Sequence, residues 1–106
     1  MQDDALRGCG HKPRYKFNED NLLNEFREYI DSTYKGHYSH SKYQATETII
    51  DSGWGRGFTQ GNVEKYNKRV GKKGGPDEQR KDIMKILHYA LILLYIHDTE
   101  NNHESS

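Results

Sequence analysis

The stretch GNVEKYNKRVGKKGG, Gly61 to Gly75, runs directly into PDEQRKDIMKILHYALILLYI, Pro76 to Ile96. Only here do a cluster of basic residues, paired glycine signals and the strongest apolar run of the chain meet. With Gln60 to Val70 helical, Asn62, Lys65, Tyr66 and Arg69 recur at i, i+3, i+4 and i+7 and share one face. Val63, Tyr66 and Val70 give the same helix an apolar stripe, so Tyr66 stands between packing and a site. Gly71 is the natural stop, and Lys72, Lys73, Gly74 and Gly75 emerge beyond it. Pro76 or Asp77 opens the next helix, with Asp77 and Glu78 at the positive end of its dipole. Further on, Ile83, Ile86, Leu87, Ala90, Leu91, Leu94 and Tyr95 make one apolar face, while Met84, Ile92, Leu93 and Ile96 make a second. A helix apolar nearly all round is covered on several sides, which in a chain of 106 residues implies a partner subunit.

Upstream, Asn18 is placed to cap a helix with Glu19 and Asp20 in its first turn. Leu22, Leu23, Phe26, Tyr29, Ile30 and Tyr34 follow at near-helical spacing until Gly36, and this helix reads as packing. Gly36 to Tyr43 reads as a polar, aromatic loop, and Ala45 to Asp51 as a short helix stopped by Gly53. Trp54 to Phe58 reads as a glycine-punctuated loop, with Thr59 as N-cap of the Gln60 helix. Residues 1–17 lack periodicity and read as a flexible arm, 18–97 as one helical domain, and 98–106 as a disordered polar tail. No stretch alternates as a strand does. The expected fold is all-α, a small bundle of about four helices with long loops, completed by oligomerisation.

Composition narrows the class. With 32% apolar residues a monomer has a marginal core. Sixteen basic and sixteen acidic residues cancel, which argues against a general nucleic-acid coat. The single cysteine, Cys9, excludes an intrachain disulfide and fits a reducing compartment. Cys9 and His11 without a second pair are a weak zinc signal. The longest apolar segment, Tyr89 to Ile96, is too short for a bilayer, and no stretch reads as a signal peptide. A soluble, cytoplasmic protein is expected, in the host cytoplasm if the source is viral.

Lys65, Arg69, Lys72 and Lys73 are fixed cations suited to phosphate. Trp54 offers a stacking surface, and the glycines around Arg56 permit close backbone approach; Trp54 and Phe58 equally suit plugging a core from a loop. His37 suits a ligand donor, a metal ligand with His40, or a solvated loop residue. Glu47 is the one carboxylate of its short helix aimed toward a site, with a surface role as the plain alternative. Asp82, flanked by Lys81 and Lys85, suits cation binding, lysine orientation, general base work or an ordinary surface ion pair. Neither GxxxxGK[ST] nor GxGxxG after a strand occurs, so Gly74-Gly75-Pro76 equally reads as a helix break.

His37 and Tyr38, Lys42 and Tyr43, Glu47, Gly61 and Asn62, Lys65 and Tyr66, Arg69, Gly71 to Lys73, Asp82, Lys85 and Tyr89 form an ordered set. In order and spacing, over about half the chain, this set resembles a family of small bacteriophage proteins described as phage nucleotide kinases, including the staphylococcal-phage SaV-type proteins. The resemblance implies an all-helical, oligomeric nucleotide-binding protein, with phosphorylation of deoxynucleoside monophosphates known for a member. The chain departs from the family in the glycine-rich segment Gly53 to Gly57, which holds Trp54 and Arg56, and its N-terminal helix lies outside the match.

The expectation is thus a homo-oligomeric binder of a nucleotide or phosphorylated nucleoside. His37, Tyr38, Trp54, Arg56, Asn62, Lys65, Tyr66, Arg69, Lys72, Lys73 and Lys85 are its candidate ligand residues. If it is an enzyme, phosphoryl transfer is the class, because positioning and electrostatics carry that chemistry. Asp82 and Glu47 are then the candidate catalytic carboxylates, holding Mg²⁺. A helical pyrophosphatase ranks lower, since the acids are scattered. The alternatives are a non-catalytic sponge for a nucleotide immune signal, a nucleic-acid binder and a purely structural oligomer.

Overall fold

The computed structural model describes residues 13–36 and 39–102. They form four α-helices, α1 (Glu19–Thr33), α2 (Ser39–Asp51), α3 (Gly55–Arg69) and α4 (Pro76–Asn102). No strand occurs among the described residues, so the fold is the all-α one that the periodicity predicts.

The organising unit is an antiparallel hairpin of α3 and α4. At one end Gly55 sits against Ile50 and Ile96. At the other, Arg69 Nε donates to Asp82 Oδ2 at 3.3 Å. Between them Tyr89 takes Phe58 edge-on at 5.9 Å and lies nearly parallel to Tyr66 at 6.2 Å. The turn follows from Gly71, whose φ of +87° is open to glycine but strained for other residues. It lets the Lys72 and Lys73 amides both donate to Arg69 O, at 3.0 and 3.1 Å, satisfying a carbonyl that the helix end leaves open.

The other two helices attach by polar and aromatic ties. Glu25 and Arg80 form a two-pronged ion pair between α1 and α4. Phe26 and Tyr29 meet the His88 ring edge-on, at 6.4 and 5.9 Å. Tyr34 stacks on Tyr43 at 4.3 Å, and the Thr33 and Tyr43 hydroxyls are hydrogen-bonded, joining α1 to α2. Neither α1 nor α2 has a buried residue. The apolar core among the described residues is Met84 and Ile96, 8% and 3% exposed.

The structure corrects several sequence boundaries. The long loops shrink, because α2 begins at Ser39 and α3 at Gly55. Thr59 is not an N-cap: it is fully buried inside α3, its hydroxyl donating to Gly55 O at 2.9 Å and Arg56 O at 3.1 Å. Tertiary contact overrides the weak helix propensity of Gly55 and Gly57. Asn18 adopts a left-handed conformation and makes no side-chain cap bond. The polar segment from Asp98 onward is helical through Asn102, held by the Arg56–Glu100 ion pair at 2.9 Å and the Asn101 bond to His97 O at 2.8 Å. His37, Tyr38, Cys9 and His11 lie outside the described residues.

A Cβ on Gly55 would stand 2.9 Å from Ile96 Cδ1 and 3.2 Å from the Ile50 backbone, whereas nothing lies within 4 Å of one on Gly61. Gly55→Ala is therefore expected to lower stability by about 1–3 kcal/mol through overpacking. Gly61→Ala is expected to raise it by roughly 0.5–1 kcal/mol through helix propensity. Denaturant unfolding of the two variants checks both signs.

Candidate functional site

Each helix contributes one tyrosine to a single hollow. Tyr29 from α1, Tyr43 from α2, Tyr66 from α3 and Tyr89 from α4 line a cavity of about 130 Å³ together with Lys42, Thr46, Lys85, His88 and Ile92. The helical repeat explains the grouping on α4, where Lys85, His88, Tyr89 and Ile92 fall at i, i+3, i+4 and i+7. Lys42, Tyr43 and Thr46 are grouped on α2 in the same way.

The chemistry of this lining is one-sided. No carboxylate contributes to it. Lys85 Nζ lies 4.9 Å from the Tyr66 ring centroid, and Lys65 Nζ lies 4.7 Å from the same ring. Arg69 Cζ is 6.0 Å from that centroid, and Lys42 Nζ is 5.7 Å from the Tyr43 ring. Cations over a ring face are attracted to its quadrupole, which holds three of them around Tyr66. Among the described residues Lys42, Lys65 and Lys85 make no ion pair with a carboxylate. The hydroxyls of Tyr29, Tyr66 and Tyr89 make no hydrogen bond among them either.

Burial, and then the neighbouring phenols, push the hydroxyls of Tyr29 and Tyr89 above the ordinary tyrosine value. Burial also raises Tyr43, partly offset by its bond to Thr33. These groups stay protonated at neutral pH and remain hydrogen-bond donors. Burial, and then the Lys42 charge, lower His88. It is neutral at pH 7 and keeps one donor and one acceptor nitrogen. A cavity lined by ammonium groups and hydroxyl donors, with no acid on its lining, has the chemistry to accept an anion.

A larger groove of about 610 Å³ adjoins it, sharing Tyr43, Thr46, His88 and Ile92 as walls. Ile30, Tyr34, Ile50, Leu91 and Tyr95 give it apolar and ring surface, and Glu47 and Asp51 stand on its lining from α2.

The sequence-derived candidates divide between these places. Tyr66 and Lys85 line the hollow, and Lys65 and Arg69 flank it across the Tyr66 ring. Asn62 turns back on its own helix, donating to Phe58 O at 2.9 Å. Lys72 and Lys73 are exposed in the turn, and their amides are taken up by Arg69 O. Trp54 is 73% exposed before the first turn of α3. Arg56 bonds Glu100 and His97, about 15 Å along α3 from Tyr66 at the helical rise. Asp82 is 3% exposed and engaged by Arg69, while Glu47 lines the groove, so the two carboxylates share no cavity. Among the described residues no group of three His, Cys, Asp or Glu side chains gathers as a metal site.

Tyr29, Lys42, Tyr43, His88 and Tyr89 were not among the candidates chosen for the site. Lys42, Tyr43 and Tyr89 stood in the ordered family pattern, while Tyr29 and His88 sit in runs that read as packing. The available signal was a polar-tipped ring recurring in otherwise aliphatic stretches. No helix of the described residues is long and apolar enough to cross a membrane. No protein-family model matches the chain, and neither the curated proteins nor the solved structures compared with it give a match.

Two expectations follow from the burial. Arg69→Met leaves the Asp82 carboxylate buried without its partner and is expected to cost on the order of 2–3 kcal/mol. Adding Asp82→Asn should recover part of that loss, which a double-mutant cycle measures. The pKa of His88 lies below its ordinary 6.5 in the folded chain, so the unfolded chain takes up the proton first. Stability is then full above the ordinary value and falls as pH drops from it through the folded value. Denaturation followed as the pH is lowered from about 7 should show that fall, and His88→Phe should flatten it.

Proposed function

We propose that this chain binds a phosphorylated nucleoside, with its phosphate in the tyrosine–lysine hollow and its nucleoside in the adjoining groove. The observation that carries the reading is the carboxylate-free lining, in which, among the described residues, Lys42 and Lys85 pair with no carboxylate and the phenols of Tyr29, Tyr66 and Tyr89 make no hydrogen bond. A phosphate accepts hydrogen bonds on every oxygen and carries the charge that two ammonium groups complement. Lys65 adds positive potential beside the Tyr66 ring, while Arg69 at the same ring is paired with Asp82. At about 130 Å³ the hollow is below the usual size of a whole-ligand pocket. The groove sharing its walls has apolar side chains and the rings of Tyr34 and Tyr95 for a base.

The resemblance to phage nucleotide kinases supports the same ligand class and suggests phosphoryl transfer. Such transfer rests on positioning and electrostatics, which the lysines are suited to supply. A second reading, capture without chemistry, is favoured by one observation: Asp82 is occupied by Arg69, leaving the hollow without a carboxylate base. Both readings use the same cations.

Calorimetric titration with inorganic phosphate and with nucleoside mono-, di-, tri- and cyclic phosphates tests the site. Lys42→Ala and Lys85→Ala are each expected to weaken the best ligand about tenfold or more, roughly 1.4 kcal/mol. Lys72→Ala, Lys73→Ala and Trp54→Ala should leave it within about twofold. Binding to none of these compounds, or loss confined to the Lys72 and Lys73 variants, overturns the proposal. Incubation of the bound monophosphate with ATP and Mg²⁺, followed by analysis of the nucleotides, separates kinase from sponge.

A further inference from the structure

The longest helix carries an unpaired seam. Ile83, Leu87, Ala90 and Leu94 of α4 follow one another at steps of four, three and four, the spacing that keeps one stripe of a helix facing another helix. All four are exposed, Ile83 and Leu87 at 45% and Leu94 at 56%. The next positions of the same stripe are Arg80 and His97, so polar residues bound it at both ends. From Ile86 to Ile96 the helix holds no Asp, Glu, Lys or Arg. The seam is about 17 Å long at the helical rise. By contrast, the Met84 and Ile96 core of the described residues is 8% and 3% exposed.

We infer that a second copy of this chain covers this seam, its α4 lying antiparallel to the first across a two-fold axis between Leu87 and Ala90. The side-chain sizes argue for the identical helix. Antiparallel pairing sets Leu87 against the small Ala90 of the other copy on both sides of the axis, and Ile83 against Leu94 at each end. A parallel pair would set Ala90 against Ala90 and leave a gap in mid-seam. An isologous contact of this kind closes at two copies. The formal net charge of zero means that copies do not repel each other overall. Antiparallel helices also oppose their dipoles favourably. A stable contact needs about 800 Å² per partner, more than four seam residues supply, so the flanking Ile86, Leu91 and Leu93 are covered as well.

The seam and the hollow use different sides of α4. At about 100° per residue, Lys85 and Ile92 lie about 160–180° round the helix from the centre of the seam. Dimerisation therefore leaves both hollows open, while Leu91 is also a wall of the adjoining groove, so the contact borders the proposed nucleoside site.

Sedimentation of the full chain should give twice the chain mass, and Leu87→Arg and Leu94→Arg should each give a monomer. Disulfide trapping tests the same contact without charging the seam. In a Cys9→Ser background, Ile83→Cys alone and Leu94→Cys alone should fail to cross-link on mild oxidation. An equal mixture of the two chains should give a covalent dimer. A monomeric wild-type chain, cross-linking of Ile83→Cys with itself, or no cross-link in the mixture each overturns the inference, including the case where a different macromolecule covers the seam.

Discussion

The close approach of α3 to α4 is the constraint on which the rest of the structure depends. Gly55 lets the start of α3 settle against Ile50 and Ile96, and the fully buried Thr59 occupies the next turn with its hydroxyl turned back on the helix. Any larger residue at Gly55 would push the helices apart where their contact begins. The far end of the hairpin is pinned by Arg69 on Asp82, a charge acceptable so deep in the fold only because it is paired. Between these fixed ends, Tyr66 and Tyr89 come to lie side by side. The packing of the hairpin thus sets two of the four phenols of the hollow.

The other walls are held more lightly. Tyr29 and Tyr43 come from helices with no buried residue, tied by an exposed ion pair, ring contacts and one pair of hydroxyls. Elements with so little buried apolar surface open at low free-energy cost. An anion that engages Lys42 and Tyr43 on α2, Tyr29 on α1 and Lys85 on α4 would join elements that the apolar core joins weakly. Binding and stability are coupled in such an arrangement by mass action.

The legible parts of the fold were those with local causes. Leu22 to Tyr34 repeats at helical spacing, Gly71 needs its positive φ, and Pro76 opens a helix wherever it stands, so α1, the hairpin turn and the start of α4 could be read directly. Gly55 to Phe58 looked like a loop because two glycines disfavour a helix; the contact with Ile96 that makes it helical lies about forty residues away in sequence. The site was half legible for the same reason. Lys65, Tyr66 and Arg69 share a face by helical arithmetic, but which cations join them depends on how α2 and α4 cross that face. Composition drew attention to Trp54, Arg56, Lys72 and Lys73, and none of these lines the hollow. Tyr29 and His88 were hidden because a ring in an apolar run reads as packing until its polar tip is seen to point into a cavity.

The central claim is that the four tyrosines surround the phosphate of a bound ligand. Ring-selective ¹³C labelling of the eight tyrosines resolves them individually by NMR during titration with a nucleoside monophosphate. The account predicts that the Tyr29, Tyr43, Tyr66 and Tyr89 signals shift together with one dissociation constant, while exposed Tyr15 stays in place. Signals of those four rings that remain unmoved while the Trp54 indole shifts would contradict it.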